Sequence, residues 1–247
     1  RRPAPERGAR RFEGADGVSR ETAKGGKGNR RNPMKQDRAE IERLVAEAMT
    51  ASGIEDLPEA GRERLEIFIG EVSLWSERIH LIGRGNLVQN LRLQLLDSLL
   101  VLAAMEKEAP EPLVSEGARL ADIGSGAGFP GVVWKIARPG LETVLFERRL
   151  KPHVFLERVI AVLDLCGASA CGRDARTYVD KGSFDIVVSK AAGRLPQMLP
   201  LAEQLLAPGG VYVTIKGTSW GKEPAKLEGV AMELFAAPQL PKGRDAP

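Results

Sequence analysis

The chain has 247 residues and a formal net charge of +3, which is enough for one α/β domain and a smaller partner. No apolar run approaches the roughly 20 residues that cross a bilayer, and the polar, Arg-rich N-terminus lacks the apolar core of a signal peptide. We therefore expect a soluble, cytoplasmic protein without a membrane partner. Two cysteines and two isolated histidines predict neither a disulfide framework nor a metal site.

The charge is distributed unevenly along the chain. Residues 1–33 carry ten Lys/Arg and four Asp/Glu, a net charge of +6, whereas the remainder has a net charge of −3. Because this segment has few large apolar residues, it is predicted to be a basic, disordered N-terminal extension. Two interpretations stay open: an arm that binds RNA through its phosphates, or an extension upstream of the folded protein.

Residues 34–117 are predicted to form a small helical region. The first helix begins with Asp37 as N-cap and ends at Gly53, and the second follows Pro58. The third runs over about residues 87–105. Apolar residues recur at steps of three and four in each helix, which indicates that all three contribute to a hydrophobic core.

From residue 118 onward, short apolar runs alternate with helical patterns, as in βαβ units. The predicted strands are 119–123, 142–146, 168–171, 184–188 and 210–215, and the helices between them begin near Pro130, Pro152 and Pro196. This order predicts that residues 118–247 form an α/β domain with a doubly wound, Rossmann-like parallel sheet. Ligands of such sheets bind outside the carboxyl ends of the strands.

The segment 120–131, LADIGSGAGFPG, predicts a strand, a tight glycine turn and a helix start. Its glycines follow the spacing G-x-G-x-G: Gly124, Gly126 and Gly128. The dinucleotide fingerprint is G-x-G-x-x-G, and here Phe129 replaces its third glycine. The carboxylate of Asp122 disfavours a pyrophosphate but suits the ammonium group of S-adenosylmethionine (SAM). We therefore predict that Asp122, Gly124 and Gly126 bind SAM rather than a nicotinamide cofactor; a glycine turn without a ligand is the remaining alternative.

Further candidate residues follow the other strands. Glu147 ends the second strand, 19 residues beyond Gly128, and is predicted to accept hydrogen bonds from both ribose hydroxyls. After the third strand, Asp174 is placed to bind the adenine amino group, and Ala175 offers a small backbone contact. The fourth strand delivers Lys190 to the middle of the cleft.

The strand ends lack the motifs of several other classes of methyltransferase, and this limits the reactions that the chain could catalyse. The fourth strand lacks the Asp/Asn-Pro-Pro-aromatic motif of amino-methylating enzymes, and no cysteine follows it to act as a nucleophile on cytosine C5. Nor do clustered carboxylates indicate metal-dependent O-methylation. Because no general base is offered, we expect a target with a free lone pair, such as guanine N7, which attacks without losing a proton.

The chain resembles the ribosomal small subunit methyltransferase G family, also called glucose-inhibited division protein B. The distinctive part of the likeness is the segment 122–131, DIGSGAGFPG, with its Phe-Pro-Gly extension. The likeness covers about residues 60–217. It continues through these motifs: Asp97-Ser98-Leu99, Arg138-Pro139, Gly172-Arg173, Phe184-Asp185, Ser189-Lys190-Ala191 and Lys216-Gly217.

This resemblance implies a SAM-dependent enzyme that methylates guanine N7 in a conserved loop of 16S ribosomal RNA, either free or in a small ribosomal subunit precursor. We also expect a monomer. The family's cofactor contacts carry over to Gly124, Phe129, Asp174, Ala175 and Lys190. The family usually has arginine at the position of Lys190. Lysine keeps the positive charge but lacks the planar, forked guanidinium group of arginine. The family also normally adds a last strand after residue 240, whereas this chain stops at residue 247.

Two other functions stay open. One is a methyltransferase that acts on a small molecule and has the same SAM-binding half of the fold, and the other is a non-catalytic RNA-binding protein with a vestigial SAM site. Basic residues at the strand ends favour RNA as the substrate. They are Arg148, Arg149, Lys151, Arg194 and Lys216.

Overall fold

The computed structural model describes residues 33–83, 85–108 and 114–216. Three helices come first: α1 (Pro33–Ser52), α2 (Gly61–Ser76) and α3 (Leu87–Glu108). Strands and helices then alternate as β1 (Arg119–Ile123), α4 (Gly131–Ala137), β2 (Glu142–Phe146), α5 (Leu150–Val162), β3 (Ala168–Cys171), β4 (Phe184–Lys190), α6 (Leu195–Leu205) and β5 (Leu206–Ile215). Every predicted strand and helix of the described residues is present. The predicted basic extension and the predicted end of the SAM-binding domain lie outside these residues.

The five strands form one parallel sheet in the order β3-β2-β1-β4-β5. Helices α4 and α5 pack on one face of the sheet, and α6 packs on the other. Strand β1 pairs with both β2 and β4, so that Ile123 lies opposite Phe146 on one side and Ser189 on the other. The winding reverses between β1 and β4, which is where α/β sheets of this kind open a crevice for ligands. The predicted doubly wound α/β fold is confirmed.

Two predicted starts, those of α1 and β5, were wrong by four residues. Helix α1 begins at Pro33, so Asp37 lies inside the helix rather than at its N-cap; a proline suits the first turn because the N–H it lacks has no partner there. Strand β5 begins at Leu206, four residues before its predicted start. The extra residues form an irregularity opposite β4, and Gly209 within them has a φ of +84°. Residues 207–210, with the sequence Ala-Pro-Gly-Gly, are typical of a bulge, where a strand bends and glycine adopts a positive φ.

The helical region and the sheet share a hydrophobic core. The fully buried residues Phe68, Leu95 and Leu99 of α2 and α3 belong to the same cluster as Trp134 of α4. The indole Nε1 of Trp134 also donates a hydrogen bond of 2.7 Å to the carbonyl oxygen of Ser98. Helix α4 follows the glycine turn directly, so this contact fixes the position of α3 relative to the predicted site.

Helix α3 is long and apolar enough to cross a membrane by length and composition alone. Its sequence pattern was not interpreted as a membrane span. Its leucines Leu95, Leu99 and Leu102 are fully buried in the core of the protein. A helix that packs in a protein core also passes this test, and the three leucines make contacts of that kind.

Candidate functional site

The strand register brings the predicted site residues to one edge of the sheet. The last residues of β1 and β2, Ile123 and Phe146, are register partners, and Phe146 in turn lies opposite Cys171 at the end of β3. On the other side, Lys190 at the end of β4 lies opposite Ile215 of β5. The glycine turn and the residues that follow the other strands therefore surround a common crevice.

The glycine turn is fixed by main-chain hydrogen bonds to the neighbouring strand. The N–H groups of Gly124 and Ser125 donate to the carbonyl oxygen of Phe146 over 2.8 and 3.1 Å. Gly126 has a φ of +55°, a left-handed conformation that favours glycine, and its N–H donates to Oε2 of Glu147 over 3.1 Å. The main chain of the turn thus approaches the acid at the end of β2 directly.

The second half of the turn packs against the helical region. A Cβ atom on Gly128 would lie 2.8 Å from Cγ2 of Val132 and 3.2 Å from the ring of Phe68, so no larger residue fits there. Phe129 follows with a cis peptide bond to Pro130, and its ring centroid lies 5.0 Å from that of Phe68. The side chain of Phe129 is buried. Phe129, a predicted cofactor contact, therefore has a ring that belongs to the hydrophobic core.

Asp122 lies in β1, one residue before the strand ends, and is completely buried. Its Oδ2 accepts a hydrogen bond of 3.1 Å from the N–H of Gly131, the first residue of α4, and its Oδ1 has no partner. Burial, with a smaller contribution from the charge of Glu147, raises the pKa of Asp122 to about 7, although the Gly131 N–H and Lys190 oppose the shift. Asp122 thus connects the end of β1 to the start of α4.

Glu147 is 5% exposed and accepts four hydrogen bonds. Two come from the main-chain N–H groups of Gly126 and Arg149, over 3.1 and 2.8 Å. The other two come from Nε and Nη2 of the Arg149 side chain, both over 3.0 Å. Burial alone would raise the pKa of Glu147, but these hydrogen bonds and the charge of Arg149 hold it below its usual value.

Asp174 follows β3 and caps a short 3-10 turn over residues 175–177. Its Oδ1 accepts a hydrogen bond of 3.0 Å from the N–H of Arg176, and its Oδ2 accepts from the side chains of Arg148 and Arg176 over 3.0 and 3.3 Å. The Arg176 N–H and the two arginine charges hold the pKa of Asp174 below its usual value. Ala175, the other predicted contact, is buried.

Lys190 contacts an acid that was not among the predicted site residues. Its Nζ lies 3.0 Å from Oδ2 of Asp97 on α3, and the Lys190 side chain is only 12% exposed. Burial lowers the pKa of Lys190, while the charges of Asp97 and Asp122 oppose this shift. Asp97 carried a sequence signal, because it is the one acid within the apolar stretch 95–105, and buried charges are usually paired.

The five basic residues predicted to bind RNA all lie along this edge, in two groups. Arg148, Arg149 and Lys151 follow β2, at the start of α5, and their side chains are exposed. Arg194 precedes α6 and is also exposed, whereas the Nζ of Lys216 donates to the carbonyl oxygen of Gly193. The two groups lie on either side of the crevice between β1 and β4.

The residues present fit the nucleoside of SAM. A ribose needs hydrogen-bond acceptors for two hydroxyls, and the buried carboxylate of Glu147, beside the glycine turn, has two oxygens that would accept them once the Arg149 side chain leaves. A Cβ built on Gly126 would lie 3.6 Å from Nη2 of Arg149 and 4.0 Å from Oε2 of Glu147, so a larger side chain there would fill the approach to the acid. Asp174 follows β3, the strand next to β2, and its carboxylate would accept a hydrogen bond from an adenine amino group.

Sequence comparison agrees with this geometry. The family described as rRNA small subunit methyltransferase G matches residues 62–237. A ribosomal RNA small subunit methyltransferase G from Desulfotalea psychrophila is 34% identical over 187 residues, 73% of this chain and 80% of the relative. Proteins of the same name from Sorangium cellulosum and a Geobacter species are 34% and 33% identical, covering 78% and 73% of this chain and 79% and 78% of theirs. The chain therefore belongs to the rRNA small subunit methyltransferase G family.

Proposed function

We propose that this protein transfers the methyl group of SAM to N7 of a guanine in 16S ribosomal RNA. Membership of the family supports a SAM-dependent enzyme that acts on ribosomal RNA. The observation that carries the proposal is the buried carboxylate of Glu147, hydrogen-bonded to the N–H of Gly126 within a rim of exposed arginines. The protein acts in the cytoplasm, on the small ribosomal subunit or its precursor.

Five of the predicted site residues have a stated role in this proposal. When bound, SAM supplies an electrophilic methyl group on its sulfonium. Glu147 orients the ribose through its two oxygens, and Asp174 accepts a hydrogen bond from the adenine amino group. Asp122 holds the turn against α4 and so keeps the main chain of Gly124 and Gly126 in the shape that receives the cofactor.

The reaction requires no general base from the protein. The N7 atom of guanine has a free lone pair and carries no proton to remove. A carboxyl group with a pKa near 7 often acts as a base, but Asp122 is fully buried and faces the N–H of Gly131 rather than the crevice. Glu147 and Asp174, the other two acids predicted to bind the cofactor, are ionised acceptors of arginine and main-chain hydrogen bonds, and Asp97 is paired with Lys190.

Basic residues on both sides of the crevice fit an RNA backbone. Arg148, Arg149 and Lys151 lie at the β2 side, and Arg194 and Lys216 lie at the β4 and β5 side. Cations in such an arrangement contact phosphates on both sides of a base that enters the site. Transfer of labelled methyl groups from SAM to small ribosomal subunits that lack the modification tests the proposal directly.

Lys190 is expected to hold the site in position without accepting a proton. Lys190→Ala removes the cation that neutralises Asp97 next to the crevice, so we expect SAM affinity to fall by about 1–3 kcal/mol. Lys190→Arg keeps the charge and is expected to retain most of the affinity. Calorimetric titration with SAM measures both. Lys181→Ala is the control, because this exposed lysine lies before β4, at the opposite edge of the sheet.

The single-turnover methylation rate, measured against pH with saturating SAM and subunits, then tests the absence of a base. We expect the wild-type protein and Lys190→Arg to have the same profile between pH 6 and 9. An ionisation in that range that is lost in Lys190→Arg would mean that a neutral lysine accepts a proton.

The basic extension is expected to act as an arm for RNA. A chain that begins at Met34 lacks a net charge of +6, so its RNA affinity should be lower and depend less on salt. Each phosphate that the protein no longer neutralises lowers the slope of log affinity against log salt by roughly 0.7–0.9. Binding of labelled 16S RNA at several salt concentrations measures the slope. An unchanged slope with unchanged methylation would show that the arm is dispensable.

A further inference from the structure

Two consecutive arginines contact the two acids that the proposed function assigns to the nucleoside. Arg149 donates to Glu147 through Nε and Nη2, and Arg148 donates to Asp174 through Nη1. The two arginine side chains are 66% and 70% exposed, so they reach the carboxylates from the solvent side of the crevice. Each arginine therefore lies between a predicted cofactor acceptor and the surface where RNA would lie.

The carboxylate of Glu147 has no acceptor site to spare. A carboxylate offers about four lone-pair sites, and Glu147 accepts four N–H groups. Two of these belong to the main chain of Gly126 and Arg149, which the turn and the start of α5 hold in place. The two N–H groups of the Arg149 side chain are the ones that can leave. A ribose offers two hydroxyl donors, and these would replace the two N–H donors that Glu147 loses when the Arg149 side chain leaves.

We propose that Arg148 and Arg149 exchange partners when both substrates bind: the nucleoside of SAM takes the carboxylates of Glu147 and Asp174, and the released arginines bind phosphates of the RNA. This inference rests on the proposed function, because it requires SAM and RNA at the same edge of the sheet. It goes beyond that function in making the two binding events strengthen each other.

The charges around the rim explain why the released arginines require a new partner. Lys151, Arg173 and Arg176 are exposed near the same two strand ends, so a guanidinium that leaves its carboxylate joins a cluster of like charge. Phosphate is a strong partner for such a group, since the planar fork of arginine binds two of its oxygens at once. SAM alone therefore breaks the ion pairs of Arg148 and Arg149 without giving these arginines new partners. When RNA binds as well, its phosphates become the new partners.

Coupling of this kind is reciprocal, so it can be measured from the cofactor side. The experiment determines the dissociation constant of S-adenosylhomocysteine, the demethylated product, with and without saturating unmethylated small ribosomal subunits. For the wild-type protein we expect the subunits to tighten binding by about 10-fold, within the usual range of coupling between sites. For Arg149→Ala we expect the ratio to fall below about 2-fold. This variant should bind S-adenosylhomocysteine alone at least as tightly as wild type, because the competing side chain is gone.

Arg173→Ala is the matched control. Arg173 is exposed and directly precedes Asp174, but no ion pair to either acid is found for it among the described residues. It should weaken RNA binding and leave the coupling ratio at its wild-type value. Thermal unfolding confirms that each variant is folded, which we expect because both side chains are exposed.

Three results would overturn the inference: a wild-type ratio near 1, a ratio that Arg149→Ala retains, or equal loss of coupling in Arg173→Ala. Weaker binding of S-adenosylhomocysteine alone by Arg149→Ala would also contradict it, since Arg149 would then support the ribose acceptor rather than compete with the ribose. Failure of the proposed function differs from all of these, because the wild-type protein would then bind no S-adenosylhomocysteine or methylate no subunits.

Discussion

Gly131→Ala is expected to destabilise the fold by about 2–5 kcal/mol and to abolish cofactor binding. The added Cβ would lie 2.6 Å from both Oδ2 of Asp122 and Cδ2 of Leu145, closer than any real contact of this kind. Relief of the clash requires α4 to move away from β1. That movement breaks the hydrogen bond from the N–H of Gly131 to Asp122 and leaves two buried polar groups without partners. The glycine turn, which joins β1 to α4, would lose its shape.

Urea denaturation measures the change in the free energy of unfolding. Gly70→Ala is the control, because Gly70 lies inside α2 and its added Cβ would meet only Cδ1 of Ile41, at 3.8 Å. Alanine is the better helix former, so this variant should be more stable by about 0.5–1 kcal/mol. The two substitutions are thus expected to have opposite signs. A Gly131→Ala protein as stable as wild type would show that the contact between Asp122 and α4 is not tight.

Asp122 is expected to make the protein less stable as the pH rises from 4 to 7. Burial raises its pKa in the folded protein to about 7 from an ordinary value of 3.8. Between these values the folded protein keeps the proton that the unfolded chain has released, so the stabilisation is complete below pH 4 and is lost as the pH rises through 7. One pKa unit corresponds to about 1.4 kcal/mol, so the total loss is about 4 kcal/mol.

Asp122→Asn removes this dependence, because an amide cannot ionise and its oxygen still accepts a hydrogen bond from the N–H of Gly131. We expect the wild-type protein to lose about 3 kcal/mol more than the variant between pH 4.5 and pH 8, as measured by urea denaturation at both values. Glu147 and Asp174 have lowered pKa values, so their stabilisation is present above the ordinary carboxyl pKa and is lost only at lower pH. Equal losses in both proteins would mean that Asp122 is ionised throughout this range.

The order of the elements and the position of the glycine turn were predictable from the sequence because both depend on local pattern. Apolar runs of four to six residues predict buried parallel strands, and G-x-G-x-G after such a run predicts the turn that Gly124 and Gly126 form. Since strands of a parallel sheet end at one edge, Glu147 and Asp174 could be placed near the turn without knowledge of any side chain. The register then confirms that these strand ends are neighbours.

Contacts between distant parts of the chain were not predictable in the same way. Lys190 and Asp97 are 93 residues apart, and their contact depends on how α3 packs against α4. The charge of Asp122 was predicted to lie beside the ligand, whereas the structure directs its carboxylate to the N–H of Gly131. Residue type indicates that an acid is present at a strand end. The direction of its side chain follows from the packing of the next helix, which a local pattern does not contain.

Methylation of guanine N7 in 16S ribosomal RNA can be detected directly in the RNA product. Unmethylated small ribosomal subunits are incubated with the protein and isotopically labelled SAM, and the labelled nucleotides are then mapped by mass spectrometry of RNA fragments. We expect one labelled 7-methylguanosine in 16S RNA, absent when the protein or SAM is omitted. Label on another base atom, on a protein or on a small molecule, or no transfer by protein that binds SAM, would contradict the proposed reaction.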